Sequence, residues 1–245
     1  MNENQNITKI YSKLSTESNS VASRLDLYMH KQPKSFNNKY LGVDFGSMNF
    51  RIAYINDTGN PVIIDNSENE NHTPSAIYFN DIKNFLVGKP AKESMLQRPD
   101  RVVDKIKQYI NKPDYLFQFE DLFFNTQELC SYLLKKLKMD AEINLGMNLR
   151  NILIPVPAHF GPNERKTLTN AAKIAGMKAR TIIEPLAAAY SLGRDVIDDD
   201  QIILIYDLGG CSFDVSIVEI KEKEAKMIYS KPFTSLGLTF THIIS

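Results

Sequence analysis

Two short stretches of this chain share one design. Val43–Tyr54 reads VDFGSMNFRIAY and Tyr206–Ile217 reads YDLGGCSFDVSI. At a constant offset of 163 residues, Asp44 falls on Asp207, Gly46 on Gly209 and Phe50 on Phe213. Ile52 and Tyr54 then meet Val215 and Ile217, which keeps the same period-2 alternation. Each stretch reads as a strand, a tight turn and a second strand. The turn needs its glycines, because only Gly reaches positive φ without steric cost. It does not need the aspartate beside them. One such hairpin is an ordinary turn, since Asp and Gly are common turn residues. Two of one design predict two similar half-domains that face each other across a cleft.

A glycine turn exposes backbone N–H groups with no side chain in the way, which makes a nest for phosphate oxygens. The candidate nests are Gly46, Ser47, Met48 and Asn49 in the first loop, and Gly209, Gly210, Cys211 and Ser212 in the second. Ser47 and Ser212 add hydroxyl donors. A carboxylate beside a phosphate is repelled unless a cation lies between them. Mg²⁺ suits that place, because it keeps most of its waters and needs only one or two carboxylates plus phosphates. Asp44 and Asp207 are therefore candidates to hold the ion through its waters.

Composition agrees. The 245 residues are 43% hydrophobic, enough for one large or two modest domains. The formal net charge is zero, so no nucleic-acid surface is expected. No apolar run is long enough to span a bilayer, and no membrane partner is expected. The two cysteines, Cys130 and Cys211, are far apart and form no CxxC pair. A reducing, cytoplasmic setting is the expectation.

Residues 1–39 are rich in Asn, Ser and Lys, with a weak helical stripe through Ile7, Ile10 and Leu14. They read as a polar, disordered tail. From Tyr40 the pattern is globular. PVIIDN (61–66) and TPSAIYF (73–79) read as extended segments. In DRVVDKIKQYI (100–110), apolar residues at 102, 103, 106 and 110 predict a helix. Asn125 with Glu128 predicts a capping box, and Gly146 a helix end. NILIPVP (151–157) reads as a strand, 161–176 as a helix opened by Pro162, 180–183 as a strand, and 184–193 as a helix opened by Glu184 and Pro185. Strands alternating with helices predict an α/β fold with a partly parallel sheet.

These motifs, taken in order, resemble the nucleotide-binding domain of heat shock protein 70 (DnaK-type) chaperones. GVDFGSMNF is similar to that family's first phosphate loop and IYDLGGCSFDVSIVEI to its second. The segment 152–193 is similar to the stretch that joins the two lobes. The resemblance covers about residues 40–220. It implies the actin-like ATPase fold, in which two ribonuclease-H-like lobes close on ATP. The implied division is a first lobe over 40–190 and part of a second over 191–245. The family's second adenosine-binding motif, linker and peptide-binding domain have no counterpart here, so ATP is expected to be held weakly, mainly through phosphate and Mg²⁺ contacts.

The resemblance also implies roles. Asp44 and Asp207 match the aspartates near Mg²⁺. Lys107 matches a lysine that contacts the phosphates and the attacking water, and Glu184 matches the catalytic glutamate before proline. Lys107, Glu184 and Asp207 thus form the implied catalytic set. Pro157 and Arg165 match residues that relay nucleotide state, and Arg180 an arginine that contacts J-domain co-chaperones. The sequence departs from the family pattern at Met48, normally a hydroxyl residue, at Cys211, normally glycine, and at His159, Gly161, Pro162 and Ile183. His159 is expected to be a packed histidine at a strand end. The implied function is Mg²⁺-dependent ATP hydrolysis in a chaperone. Implied partners are ATP or ADP, a J-domain co-chaperone, and a chain supplying the missing half. The alternative is a non-catalytic interaction scaffold that has lost efficient ATP binding. A sugar kinase of the same fold would share both loops, but IIEPLAAAY argues against it.

Overall fold

The computed structural model describes residues 40–81, 84–192, 200–222 and 224–233. The tail over 1–39 and residues 234–245 lie outside them, so the reading of the tail is not addressed by the structure.

Strand β1 (Leu41–Phe45) and strand β2 (Asn49–Ile55) form the first hairpin, antiparallel, with Asp44 opposite Arg51. β2 continues antiparallel to β3 (Pro61–Ile63) and also pairs with the short β4 (Thr73–Pro74). On its other side β1 runs parallel to β10 (Asn151–Val156), and β10 runs parallel to β11 (Lys178–Ile183). The resulting six-stranded sheet is mixed, with the parallel part supplied by the crossovers the alternating pattern predicted. Along β1, Leu41, Val43 and Phe45 point into the core while Gly42 and Asp44 are exposed. A period of two therefore assigns the hydrophobic residues to one face and the carboxylate to the other.

Helix α2 (Thr126–Leu145), preceded by the short helix α1 (Lys89–Ser94), covers the core face. The Asn125 side chain accepts from the Glu128 N–H while Glu128 Oε2 accepts from the Asn125 N–H, closing the capping box. Gly146 ends the helix at φ 64°. Leu129, Leu133 and Leu137 recur at helical spacing and are buried with Phe45, Phe50 and Ile152 in one cluster. Each such side chain contributes about 1.5–3 kcal/mol on burial. Helix α3 (Pro162–Ile174) adds Leu168, Ala171 and Ala172.

One expectation is corrected. Residues 100–110 do not form a helix. Pro99–Arg101 make a single 3₁₀ turn, Val102–Asp104 form strand β7, and Ile106–Tyr109 form a second 3₁₀ turn. β7 pairs antiparallel with β5 (Ala76–Phe79), which also pairs with β6 (Phe85–Val87). The β-branched Val102 and Val103 suit a strand, and Lys105 at φ 54° breaks the chain direction before the second turn. Strands β8 (Leu116–Phe119) and β9 (Leu122–Asn125) form a separate hairpin.

The second copy of the design lies in a three-stranded antiparallel sheet: β12 (Gln201–Leu208), β13 (Phe213–Lys221) and β14 (Glu224–Phe233). Helix α4 (Glu184–Ser191) packs Leu186 and Ala189 against Ile203, Ile205, Val218 and Ile220 of this sheet. The helix that a division at residue 190 assigns to the first lobe therefore buries its apolar face on the second sheet.

Candidate functional site

Both glycine turns open onto one cavity of about 400 Å³. From the first hairpin it is lined by Asp44, Gly46, Ser47, Met48, Asn49 and Arg51; from the second by Asp207, Leu208, Gly209, Gly210 and Ser212. Lys107, Pro155 and Glu184 complete the wall. A second cavity, beside Asp140, is about 10 Å³ and has room for no more than about one water.

Gly46, Gly209 and Gly210 do not take the positive φ expected of them; what demands glycine there is the close approach of neighbouring atoms. A Cβ on Gly46 would lie 2.4 Å from the Asn49 carbonyl oxygen. The Gly209 N–H donates to the Ser212 carbonyl at 2.9 Å, and a Cβ on Gly209 would press on the Ser212 hydroxyl at 3.2 Å.

Lys107 reaches the cavity from the 3₁₀ turn. Ile106 and Ile110 anchor that turn in the core, which leaves Lys107 facing the opposite way. Its Nζ donates to Glu184 Oε1 at 2.7 Å, with both side chains largely buried. Glu184 sits at the start of α4, where the helix dipole favours a negative charge. Burial nonetheless pushes its carboxyl above the ordinary range; Lys107 opposes that shift, and Asp207 and Asp214 add to it. The result is a carboxylate receptive to a proton, held in place by an ammonium.

Asp214 is a buried carboxylate beside the cavity, outside its wall, that the sequence reading did not single out. It is buried, stands directly opposite Asp207 in the β12–β13 ladder, and has its carboxyl pushed up, first by burial and then by Asp207, with His159 and Lys107 opposing. The signal was present in the repeat, where Asp214 occupies the position of Arg51. In the first hairpin Arg51 Nη1 lies 3.7 Å from Asp44 Oδ2. Four carboxylates, those of Asp44, Glu184, Asp207 and Asp214, thus face or border one region that holds the cations Lys107 and Arg51. Among the described residues no three His, Cys, Asp or Glu side chains converge closely enough to hold a metal directly. Hard oxygen donors that stand apart suit Mg²⁺ held through its waters.

The other sequence candidates fall elsewhere. Cys211 is not part of the cavity wall; its Sγ lies 4.0 Å from Met48 Sδ. Pro157 is buried and its carbonyl accepts from the Phe160 N–H, while Arg165 Nε donates to the Phe160 carbonyl, so both grip one turn. That turn carries His159, which is exposed and edge-on to Phe160 rather than packed as expected. Arg180 is exposed on β11, the sheet edge, over the ring of Tyr40. No helix among the described residues is long and apolar enough to cross a membrane.

Two glycine hairpins and an ion pair around one acidic cavity define a site suited to a polyanion accompanied by a cation. Comparison with known proteins gives that arrangement a family. The profile described as Hsp70 protein matches residues 40–115 and 111–237. The chain is 38% identical, over 198 residues, to proteins named Chaperone protein DnaK from Thermotoga neapolitana and Thermotoga maritima. Each match covers 80% of this chain and 33% of the relative. The chain belongs to the Hsp70 family of chaperones, and it spans about a third of the length of the curated relatives it matches.

Proposed function

We propose that this chain carries the phosphate-binding and catalytic part of an actin-like ATPase module, with a first lobe from residue 40 and part of a second that starts with α4 rather than at residue 191. Its reaction is Mg²⁺-dependent hydrolysis of ATP. The observation that supports this most is the convergence of two repeat-related glycine turns on one cavity, with the Lys107–Glu184 pair in its wall. Backbone N–H groups and the hydroxyls of Ser47 and Ser212 bind phosphate oxygens. Asp44, Asp207 and Asp214 would hold Mg²⁺ through water. When bound, the ion offsets charge on the phosphates. Lys107 donates to a phosphoryl oxygen as negative charge develops there. Glu184, with its raised proton affinity, orients the attacking water and accepts its proton. Pro157 and Arg165, tied to one turn, pass the state of the site outward, and Arg180 meets a co-chaperone, in a cytoplasmic setting.

Isothermal calorimetry of this chain with ATP, with and without Mg²⁺, tests the reading. Mg²⁺-dependent heat that saturates is expected. Absence of binding at millimolar nucleotide would remove the ATPase reading and leave a scaffold.

A further inference from the structure

The two hairpins part in chemistry at one pair of counterparts. Arg51 stands opposite Asp44 in the first ladder, and Asp214 stands opposite Asp207 in the second. Asp214 lies outside the cavity wall, whereas Arg51 is part of it. Phe50 and Ile52 are buried on either side of Arg51, so alternation turns its side chain outward from a backbone that the core holds in place. Arg51 borders both the large cavity and the small one beside Asp140. Asp44 borders the large one alone and pairs with the guanidinium, which sets the charged end of Arg51 at the large cavity.

The two cations of the wall are not equally engaged. Lys107 Nζ donates to Glu184 Oε1 at 2.7 Å, and only 13% of the lysine side chain is exposed. Arg51 Nη1 lies 3.7 Å from Asp44 Oδ2, too far for a hydrogen bond, and 46% of its side chain is exposed. An exposed pair of this kind opens at little cost. A guanidinium carries five N–H donors in a planar fork that matches two oxygens of one phosphate. The wall sets three carboxylates, Asp44, Glu184 and Asp207, against two cations. With Lys107 held by Glu184, Arg51 is the positive charge available to an incoming polyanion. We propose that Arg51 is a phosphate-binding residue of this site: its guanidinium turns from Asp44 to two phosphate oxygens of the nucleotide, and the Asp44 carboxylate is freed for hydrated Mg²⁺. This rests on the nucleotide reading above. The second hairpin has no such group, because its counterpart is Asp214.

Two probes test this, ATP and inorganic tripolyphosphate, each titrated with Mg²⁺ into the native chain and into Arg51→Gln by calorimetry. Urea denaturation checks that the variant is folded. Arg51→Gln should bind both probes about tenfold more weakly or worse, and by a similar factor, because the contact is to phosphate and not to base or ribose. The factor should persist when salt rises from about 0.1 to about 0.5 M, since a direct contact is screened far less than a field acting from beyond a Debye length. Arg51→Lys keeps a point charge without the fork and should lose several-fold. Native affinity in Arg51→Lys would overturn the two-oxygen contact. Equal or tighter binding by Arg51→Gln means that Arg51 serves only Asp44, and overturns the assignment while the nucleotide reading stands. A loss seen only at low salt, or only with ATP, overturns it in the same way. Binding of neither probe by the native chain defeats the nucleotide reading itself, and the role of Arg51 falls with it.

Discussion

Leu41 and Leu204 occupy counterpart positions in the two hairpins, but Leu41 is 1% exposed and Leu204 is 50% exposed. The difference holds along the strand. Val43 and Phe45 are buried, whereas their counterparts Tyr206 and Leu208 are exposed. In the first hairpin this face lies against α2 and belongs to the main core. In the second, the face that carries Ile203 and Ile205 is packed on α4, and among the described residues the opposite face has no comparable cover. One strand pattern thus serves as a finished core wall in one copy and as a bare apolar surface in the other. The turn regions differ in the opposite sense. The first hairpin neutralises its aspartate with Arg51, and the second sets Asp207 against Asp214. The first copy is built chiefly for stability, and the second concentrates charge at the site.

The two strands separate most clearly under one substitution made in each. Leu41→Ala should cost about 2–5 kcal/mol, the range for deleting a buried leucine side chain. Leu204→Ala should stay within about 0.5 kcal/mol, as surface changes do. Urea denaturation of both variants, with the slope compared to that of the parent, measures the difference. Similar losses at the two positions would mean that the β12 face is covered in solution.

A second test concerns the pair that belongs to neither hairpin. Lys107 and Glu184 come from a 3₁₀ turn and a helix start, and each is fixed by core residues next to it. Lys107→Ala should lower single-turnover ATP hydrolysis by about a hundredfold, the scale of losing one transition-state contact. Nucleotide binding should fall much less, because both glycine loops stay intact. An unchanged single-turnover rate would leave Lys107 as a structural partner of Glu184.

Much of this organisation was legible in the sequence. The hairpins, the capping box at Asn125, the helix opened by Pro162 and the parallel strands β10 and β11 follow from turn chemistry and periodicity, which are local. What was not legible depends on partners distant in sequence. Residues 102–110 satisfy a helical spacing, but β5 supplies a ladder for Val102–Asp104, and pairing prevails over periodicity there. Asp214 looked like one polar residue in an alternating strand; its significance comes from the register that places it opposite Asp207. The exposure of Tyr206 and Leu208 was hidden because an alternating apolar strand reads the same whether or not its face is covered. His159 followed the same logic, since burial cannot be read from residue type alone.

The smallest expected effect isolates the charge difference between the two turns. Like charges directly opposite in an antiparallel ladder destabilise it, by up to about 1 kcal/mol. Asp207 and Asp214 are such a pair, and Asp214 is buried as well, while Asp44 has Arg51. Asp214→Asn keeps the shape and removes one charge. Without Mg²⁺ at neutral pH the variant should be more stable than the parent by about 1 kcal/mol or less, a rise of a few degrees in Tm. Mg²⁺ should reverse the order, because an ion held near both carboxylates stabilises the folded parent by mass action and gains less from the variant. The mirror substitution, Arg51→Gln, should destabilise without Mg²⁺ by leaving Asp44 unpaired, although only slightly for so exposed a pair. Thermal melts of the three proteins, with and without Mg²⁺, separate the cases. If Asp214→Asn is less stable than the parent in the absence of Mg²⁺, the buried carboxylate is a structural hydrogen-bonding group, and the second hairpin is not the charged copy of the first.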